Sequence, residues 1–272
     1  MDDLREIEEY IEDAAATVDG AAVTELLATV HSRLHRALDR IARPAARIGL
    51  IESSVGRLFM AESDRGLLGV RYADTGDDSA MLNAIRQKFD LREDKAAAGR
   101  IRDQIERALA GDTDAVANHP VDLSLVTSPF QRRAYVRLRQ VPAGGVVTYQ
   151  ALAAAIGAPS GQRAVGHAMA TNPLPIFVPC HRVIKSDGSI GNYGGGVERK
   201  LKLLRAEGFS IGKGNRVPSE AVYGHWQSHI FCRPDCSAVL RADRKKWIIF
   251  TDSDRARLSG MRPCKLCRPA AA

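Results

Sequence analysis

Five cysteines carry most of the chemistry that this sequence could perform, and their spacing divides them into four and one. Cys232 and Cys236 have three residues between them, and Cys264 and Cys267 have two. Cys180 lies far from both pairs along the chain. Two close pairs can hold a metal ion, whereas a single thiol can act as a nucleophile once it is deprotonated. The sequence therefore predicts two separate sites.

The two pairs have the spacing of a structural zinc site. Zn2+ takes four ligands in a tetrahedron, and two short turns can each present a pair of thiolates. Disulfides are disfavoured, because the chain opens with Asp2 and Asp3 and lacks an apolar signal segment, which predicts a cytoplasmic protein. We therefore predict Zn2+ bound by all four cysteines. Residues 213–272 are expected to bury few large side chains, so that the metal would supply folding energy.

The lone cysteine stands in Pro179-Cys-His-Arg182, after the apolar run Pro175–Pro179. A free thiol has a pKa of about 8.5, and a neighbouring His or Arg favours its thiolate. The usual alternative is a buried cysteine that behaves as a small apolar side chain. These four residues alone favour a buried, unreactive cysteine. Whether Cys180 is instead a nucleophile depends on the surrounding sequence.

The elements before this segment follow from hydrophobic periodicity. Residues 3–42 show two helical runs separated by Asp19-Gly20, which predicts a helical hairpin of unknown role. Three short apolar runs within residues 45–75 predict a strand meander. Residues 79–110 predict one or two helices.

The segment from Ser128 to Ala170 is predicted to be helical with tight turns. A helix begins at Ser128, Thr148 caps a short helix that runs through Ala155, and another helix runs from about Gln162 to Ala170. Two short helices joined by a Gly/Pro turn fit a helix-turn-helix, whose second helix can enter a DNA groove.

The charge distribution favours a polyanionic partner. The formal net charge is +7, but residues 1–40 hold four basic and ten acidic side chains, so the rest of the chain carries +13. A basic body of this kind is typical of proteins that meet nucleic acid. No apolar run reaches about 18 residues, which predicts no membrane-spanning segment.

Residues 171–207 strongly resemble the active-site segment of the O6-alkylguanine-DNA alkyltransferases. The resemblance rests on Pro179-Cys-His-Arg-Val-Ile184 and Gly191-Asn-Tyr-Gly-Gly-Gly196, and it extends upstream through Arg163-Ala-Val-Gly166, Thr148-Tyr149 and Ser128-Pro-Phe-Gln131. It is dense over about 80 residues in the same motif order, and residues 45–125 fit the family's N-terminal α/β subdomain.

The resemblance implies irreversible alkyl transfer onto Cys180. His181 would take the thiol proton through a water, Glu207 would polarise that His, and Asn172 would orient the active-site turn. A thioether has no hydrolytic exit, so each molecule would react once. Nothing beyond the protein is needed for this step.

The same resemblance implies binding to double-stranded alkylated DNA in its minor groove, with the damaged nucleotide flipped out. Arg163 would fill the vacated stack, and Tyr149 would crowd the rotated phosphate and protonate guanine N3. Ala164, Gly166 and Ala168 would let the second helix lie close in the groove.

Three residues would contact the flipped base: Val183, Tyr193 and Gly194. Some relatives have Ser or Ala in place of Gly194, so a backbone N–H would have to serve as the donor to O6 here.

The cysteine pairs resemble the metal-binding domain of the Ada proteins, through Ile230–Cys236 and Gly260–Pro269. The resemblance implies that Cys232 accepts methyl groups from DNA methyl-phosphotriesters and that Arg262 lies near the phosphate. However, Val239 stands where Ada has an arginine, and the module follows the alkyltransferase segment instead of preceding it. These departures favour a structural or DNA-docking zinc module over a second acceptor.

Residues 213–272 carry twelve basic and five acidic side chains, which suits docking on phosphate in either case.

We therefore predict a monomer of mixed α/β and mainly α class. Residues 1–43 would form the hairpin, 44–126 an α/β subdomain, 127–212 a helical domain that binds DNA and holds Cys180, and 213–272 the zinc module. The main alternative is a non-catalytic sensor of alkylated DNA that recruits other repair proteins. A zinc-dependent transcriptional regulator and a cysteine hydrolase are less favoured.

Overall fold

The computed structural model describes residues 20–76, 79–241 and 247–269. Residues 20–44 and 88–90 belong to one compact unit, and the rest of the described chain belongs to a second. The first unit contains helix α1 (Gly20–Ala42), which confirms the second helix of the predicted hairpin, while the first lies outside the described residues. Among the described helices, none is long and apolar enough to cross a membrane.

The predicted meander is a four-stranded sheet. Strands β1 (Ala45–Ser53), β2 (Gly56–Ser63) and β3 (Gly66–Tyr72) are antiparallel neighbours, and β4 (Asp90–Glu93) joins the other side of β1. Strand β4 lies within the stretch predicted to be helical, between helices α2 (Ser79–Arg86) and α3 (Lys95–Leu109). The carboxylate of Asp94 caps α3 by accepting a hydrogen bond from the Ala97 amide.

Short helices follow, at the positions that their caps predict. After α4 (Asp114–Ala117) and a single 3-10 turn (Leu123–Leu125) come α5 (Pro129–Leu138), α6 (Tyr149–Ala155) and α7 (Gln162–Ala170). The hydroxyls of Ser128 and Thr148 cap α5 and α6. Gly157 (φ +78°) supplies the left-handed residue of the turn between α6 and α7.

The second half of the chain builds a six-stranded sheet. Its strands are β5 (Gly145–Thr148), β6 (Val183–Ile184), β7 (Val222–His225), β8 (Ile230–Cys232), β9 (Trp247–Phe250) and β10 (Arg262–Pro263), in the order β10-β8-β7-β9-β5-β6. Helices α8 (Val197–Ala206), α9 (Ser237–Arg241) and α10 (Ser253–Leu258) complete it. Strand β8, which ends at Cys232, and strand β10, which precedes Cys264, thus belong to the same sheet as β5, and β5 leads directly into α6.

This continuity corrects one expectation from the sequence. Residues 213–272 bury several large side chains, among them Phe231, Ile248, Phe250 and Met261, and these belong to the same hydrophobic core as Cys180. The prediction of a module with little core was wrong because strand pairing between residues 100 apart is not visible in local periodicity. The uniformly apolar run Trp247–Phe250 is typical of a strand covered on both faces.

Candidate active site and metal site

Cys180 lies at the start of a single 3-10 turn, Cys180–Arg182, and is 7% exposed. The side chain of Asn172 holds the turn that precedes it. Its amide nitrogen Nδ2 donates to Cys180 Sγ (3.0 Å) and to the Val178 carbonyl (2.9 Å), and its Oδ1 accepts from the Leu174 amide (3.0 Å). Asn172 therefore fixes both the backbone and the sulfur atom.

The next residue, His181, contacts a buried ion pair formed by Glu207 and Arg182. Its Nε2 lies 2.8 Å from Glu207 Oε1, and the Arg182 guanidinium donates to both Glu207 oxygens, at 2.9 and 2.7 Å. Burial raises the pKa of the Glu207 carboxyl, but Arg182 and His181 more than offset this and hold it at about 2. Glu207 is therefore ionised at neutral pH, and an ionised carboxylate only accepts hydrogen bonds.

The ionised Glu207 fixes the tautomer of His181. Since Nε2 must donate to the carboxylate, the neutral ring presents an unprotonated Nδ1. That Nδ1 is buried and has no hydrogen-bond partner among the described residues. Burial lowers the pKa of His181, which keeps the ring neutral at pH 7. The arrangement leaves a base with a free lone pair on the residue next to the thiol.

The Cys180 thiol itself is not pre-ionised. Burial raises the pKa of Cys180, and the Asn172 hydrogen bond and the charge of Lys200 offset this only in part. A base is therefore needed to generate the thiolate, which is the nucleophilic form.

Lys200 is a functional candidate that the sequence analysis missed. It is fully buried, and its Nζ donates to the carbonyls of Val183 (2.7 Å) and Asn192 (3.2 Å). Burial lowers its pKa to about 8, with the nearby Cys180 acting in the opposite direction. A signal was available, because Lys200 falls on the apolar stripe of α8 between Val197 and Leu204.

Cys180 lines a cavity of about 550 Å³, together with Asn172, Tyr193 and Gly194. The Tyr193 hydroxyl lies 3.3 Å from that of Tyr72, and burial raises the Tyr193 pKa well above its ordinary value. Gly195 must be glycine, since a Cβ there would lie 2.5 Å from the Tyr72 ring.

At Gly194, by contrast, a Cβ would have no atom within 4 Å, so the backbone of this residue faces open space. The side chain of Val183 lies in the core and is absent from the cavity lining, and its carbonyl accepts from Lys200.

The residues predicted to meet DNA lie on α6 and α7, outside this cavity lining. Tyr149 begins α6 and packs on the core that contains Cys180. Arg163 and Ala164 are exposed at the start of α7, and Gly166 is half-exposed. Ala168 is fully buried, so it cannot line the outer face of the helix, and the expectation for that residue was wrong.

The four remaining cysteines come together as predicted. Their sulfur atoms all lie within 4.8 Å of one another, and all four thiols are free. A tetrahedral site with Zn–S bonds of about 2.3 Å has sulfur atoms about 3.8 Å apart, so the cluster fits Zn2+. The parallel pairing of β8 with β10 brings the two pairs side by side.

Comparison with known proteins agrees with this geometry. Residues 129–209 match the family of 6-O-methylguanine DNA methyltransferase DNA-binding domains, and residues 213–270 match the metal-binding domain of Ada. The human methylated-DNA–protein-cysteine methyltransferase is 32% identical over 187 residues, which cover 65% of this chain and 87% of the human protein. The chain therefore belongs to the methylated-DNA–protein-cysteine methyltransferase family.

Two further relatives place the chain within that family. The Escherichia coli bifunctional transcriptional activator and DNA repair enzyme Ada is 35% identical over 163 residues, which cover 60% of this chain and 46% of Ada. The chain thus spans about half the length of the Ada proteins that it matches. The crystal structure of Mycobacterium tuberculosis O6-methylguanine methyltransferase is similar with a TM-score of 0.50 and 32% identity, covering 60% of this chain and 92% of that one.

Proposed function

We propose that this protein repairs DNA by transferring the alkyl group of O6-alkylguanine to Cys180, once per molecule. The observation that carries the proposal is the Nδ1 of His181, which has no hydrogen-bond partner among the described residues and is held in that tautomer by Glu207. The adjacent residue in the chain, Cys180, lines the cavity. Nucleophile, base and orienting carboxylate are the parts that such a displacement requires.

The transfer needs no cofactor. His181 Nδ1 takes the thiol proton through a water, and Cys180 Sγ attacks the alkyl carbon. The new S–C bond forms as the C–O6 bond breaks, and the electron pair leaves with the guanine. Burial raises the pKa of the Tyr149 hydroxyl, so it is protonated at neutral pH and has a proton to donate to guanine N3 as the base leaves. The proton that His181 took from the thiol then returns through solvent to Tyr149. The thioether product is stable, so the protein does not turn over.

The cavity receives the guanine base after the nucleotide has left the stack. Tyr193 packs beside the base, and the backbone N–H of Gly194 or a neighbour donates to O6. Val183 does not reach the base, because it lies in the core and its carbonyl accepts from Lys200. The exposed start of α7 enters the minor groove, where Arg163 fills the vacated stack and Ala164 and Gly166 permit close approach.

The mass of the intact protein tests the reaction. After incubation with a duplex that contains O6-methylguanine, wild type is expected to gain one methyl group, located at Cys180 by peptide mapping. Cys180→Ser is expected to gain none. Tight, lesion-selective binding by wild type without any mass gain would instead support a non-catalytic sensor.

Arg163→Ala is expected to separate base flipping from chemistry. Unstacking a base costs a few kcal/mol, so losing the residue that fills the gap should slow transfer from duplex DNA about tenfold to a hundredfold. Reaction with the free base O6-benzylguanine, which needs no flipping, should be unchanged. Single-turnover rates with both substrates measure this, and equal losses would contradict the role of Arg163. Gln162→Ala, at the neighbouring exposed position, is the matched control.

We propose that the four-cysteine module binds Zn2+ and docks on DNA phosphate through exposed residues such as Arg262, Lys265 and Arg268. The functional division would follow residues 44–126, 127–212 and 213–272. Free thiols suit a reducing compartment, so the protein would act in the cytoplasm, as a monomer on double-stranded DNA.

Cys232 is expected to remain unmethylated when the zinc-loaded protein meets methyl-phosphotriester DNA. Only 2% of this residue is exposed, so its sulfur cannot readily reach a backbone phosphotriester. Peptide mass spectrometry after incubation measures this, with the E. coli Ada protein as the positive control. A stoichiometric methyl on Cys232 would establish the second acceptor that the Ada resemblance implies.

A further inference from the structure

The zinc module contacts the alkyl-transfer site along strand β5. Val146 of β5 pairs with Ile249 of β9, and β9 pairs on its other side with β7. The side chains of Ile248 and Phe250 pack closely on Gly145, where a Cβ would lie 2.9 and 3.0 Å from them. Since Tyr149 follows β5 directly, the module's central strand supports the element from which this tyrosine projects.

A second contact lies at the end of helix α8, on the residue after Glu207. The guanidinium of Arg255, on α10, covers Gly208 so closely that a Cβ there would lie 2.2 Å from it. The aliphatic part of the Arg255 side chain also lies close to Gly144, where a Cβ would be 3.4 Å from Arg255 Cδ. The same Cβ would be 3.1 Å from the backbone carbonyl oxygen of Glu207. Gly208 has φ +78°, the left-handed conformation that ends a helix, and a cation suits that end of the helix dipole.

A third contact joins the module to α5, where the Arg137 guanidinium lies 4.0 Å from the centre of the Trp226 ring. Together with the shared core, these contacts make the module part of the catalytic scaffold. Strand β10, at the edge of this scaffold, pairs with β8 over only two residue pairs. A metal bound by the cysteines next to these two strands would therefore help to hold that edge together.

We infer that Arg255 is a positioning residue for Glu207, and that metal loading of the four-cysteine cluster thereby sets the reactivity of Cys180. Arg255 packs on Gly208 and fixes the end of α8 from which the Glu207 carboxylate reaches His181. The metal holds the turns that complete the module carrying α10. The inference rests on the proposed role of His181 and Glu207 as the base system of Cys180.

The first test is independent of repair activity. Hydrogen exchange of the zinc-loaded 272-residue protein is compared before and after chelation. Exchange is expected to rise in peptides that cover residues 144–149 and 203–210, as well as within residues 222–269. A rise confined to residues 222–269 would overturn the inference, because the catalytic segments would then be independent of the module.

The second test uses alkylation of Cys180 by iodoacetamide, followed by peptide mass spectrometry across a range of pH. Arg255→Ala is expected to shift the rate profile of Cys180 towards higher pH and to lower the rate at neutral pH about tenfold, with partial rescue in Arg255→Lys. Leu258→Ala is the matched control, since this residue lies on the same helix but its side chain is exposed.

Wild-type pH profiles in both Arg255 variants would overturn the positioning role even if Cys180 proves to be the alkyl acceptor. Conversely, if DNA repair activity is absent while the Arg255→Ala shift is present, the proposed function fails and the coupling between the two sites stands.

Discussion

Glu207→Gln is expected to slow alkyl transfer to Cys180 by about a hundredfold to ten-thousandfold, the range over which a positioned base contributes. The glutamine keeps the shape of the side chain but loses its charge. Its amide can donate to His181 Nε2 and so place the ring proton on Nδ1. The ring would then have no lone pair to offer the thiol, an effect known from other base–carboxylate pairs.

The same substitution is expected to destabilise the fold by about 3–5 kcal/mol, because it leaves the buried Arg182 without a counter-charge. Arg182 is 4% exposed, and its carboxylate contacts are both to Glu207. Denaturant unfolding measures this loss, and single-turnover kinetics below the unfolding range measure the rate. Glu198→Gln is the matched control, since Glu198 is exposed in the first turn of the same helix.

The pH dependence gives the prediction a second readout. The pKa of Glu207 falls from an ordinary 4.5 to about 2 in the folded protein. Its contribution to stability is therefore complete above about pH 4.5 and is lost as the pH falls through 2. Wild type should lose stability across this window, and Glu207→Gln should lose less. Equal acid sensitivity and an unchanged transfer rate in the variant would contradict the assignment of Glu207.

The local features of this fold could be predicted from the sequence, because their causes are local. Side-chain caps at Ser128 and Thr148 set the starts of α5 and α6, and two short cysteine spacings indicated the metal cluster. The family resemblance brought His181 and Glu207 together, which their separation of 26 residues alone would not have done.

The missed features depend on contacts between distant parts of the chain. The pairing of Arg182 with Glu207 arises only when the end of α8 returns to the turn at Cys180. Strand β9 carries no alternation that would reveal its two neighbours, and its pairing with β5 spans about 100 residues. The burial of Lys200 follows from the packing of α8, although its place on an apolar stripe was visible.

Removal of zinc is expected to destabilise the whole second unit and not only the segment that holds the cysteines. Structural zinc sites in small domains supply about 10–16 kcal/mol of apparent binding energy, which appears as folding energy. Part of the module's stability here comes instead from the core that Phe231 and Phe250 share with Cys180. We therefore expect a loss of several kcal/mol, felt as one cooperative transition at lower temperature.

Differential scanning calorimetry of zinc-loaded protein, chelated protein and Cys264→Ala measures this effect. Cys180→Ala is the matched control, since it also removes one cysteine but leaves the cluster intact and should retain zinc. If chelation instead separated a small early transition from an unchanged main one, the module would be energetically independent. A joint shift of the main transition would mean that zinc stabilises the whole continuous sheet. That sheet includes β5, the strand that leads into Tyr149, because Val146 of β5 pairs with Ile249 of β9.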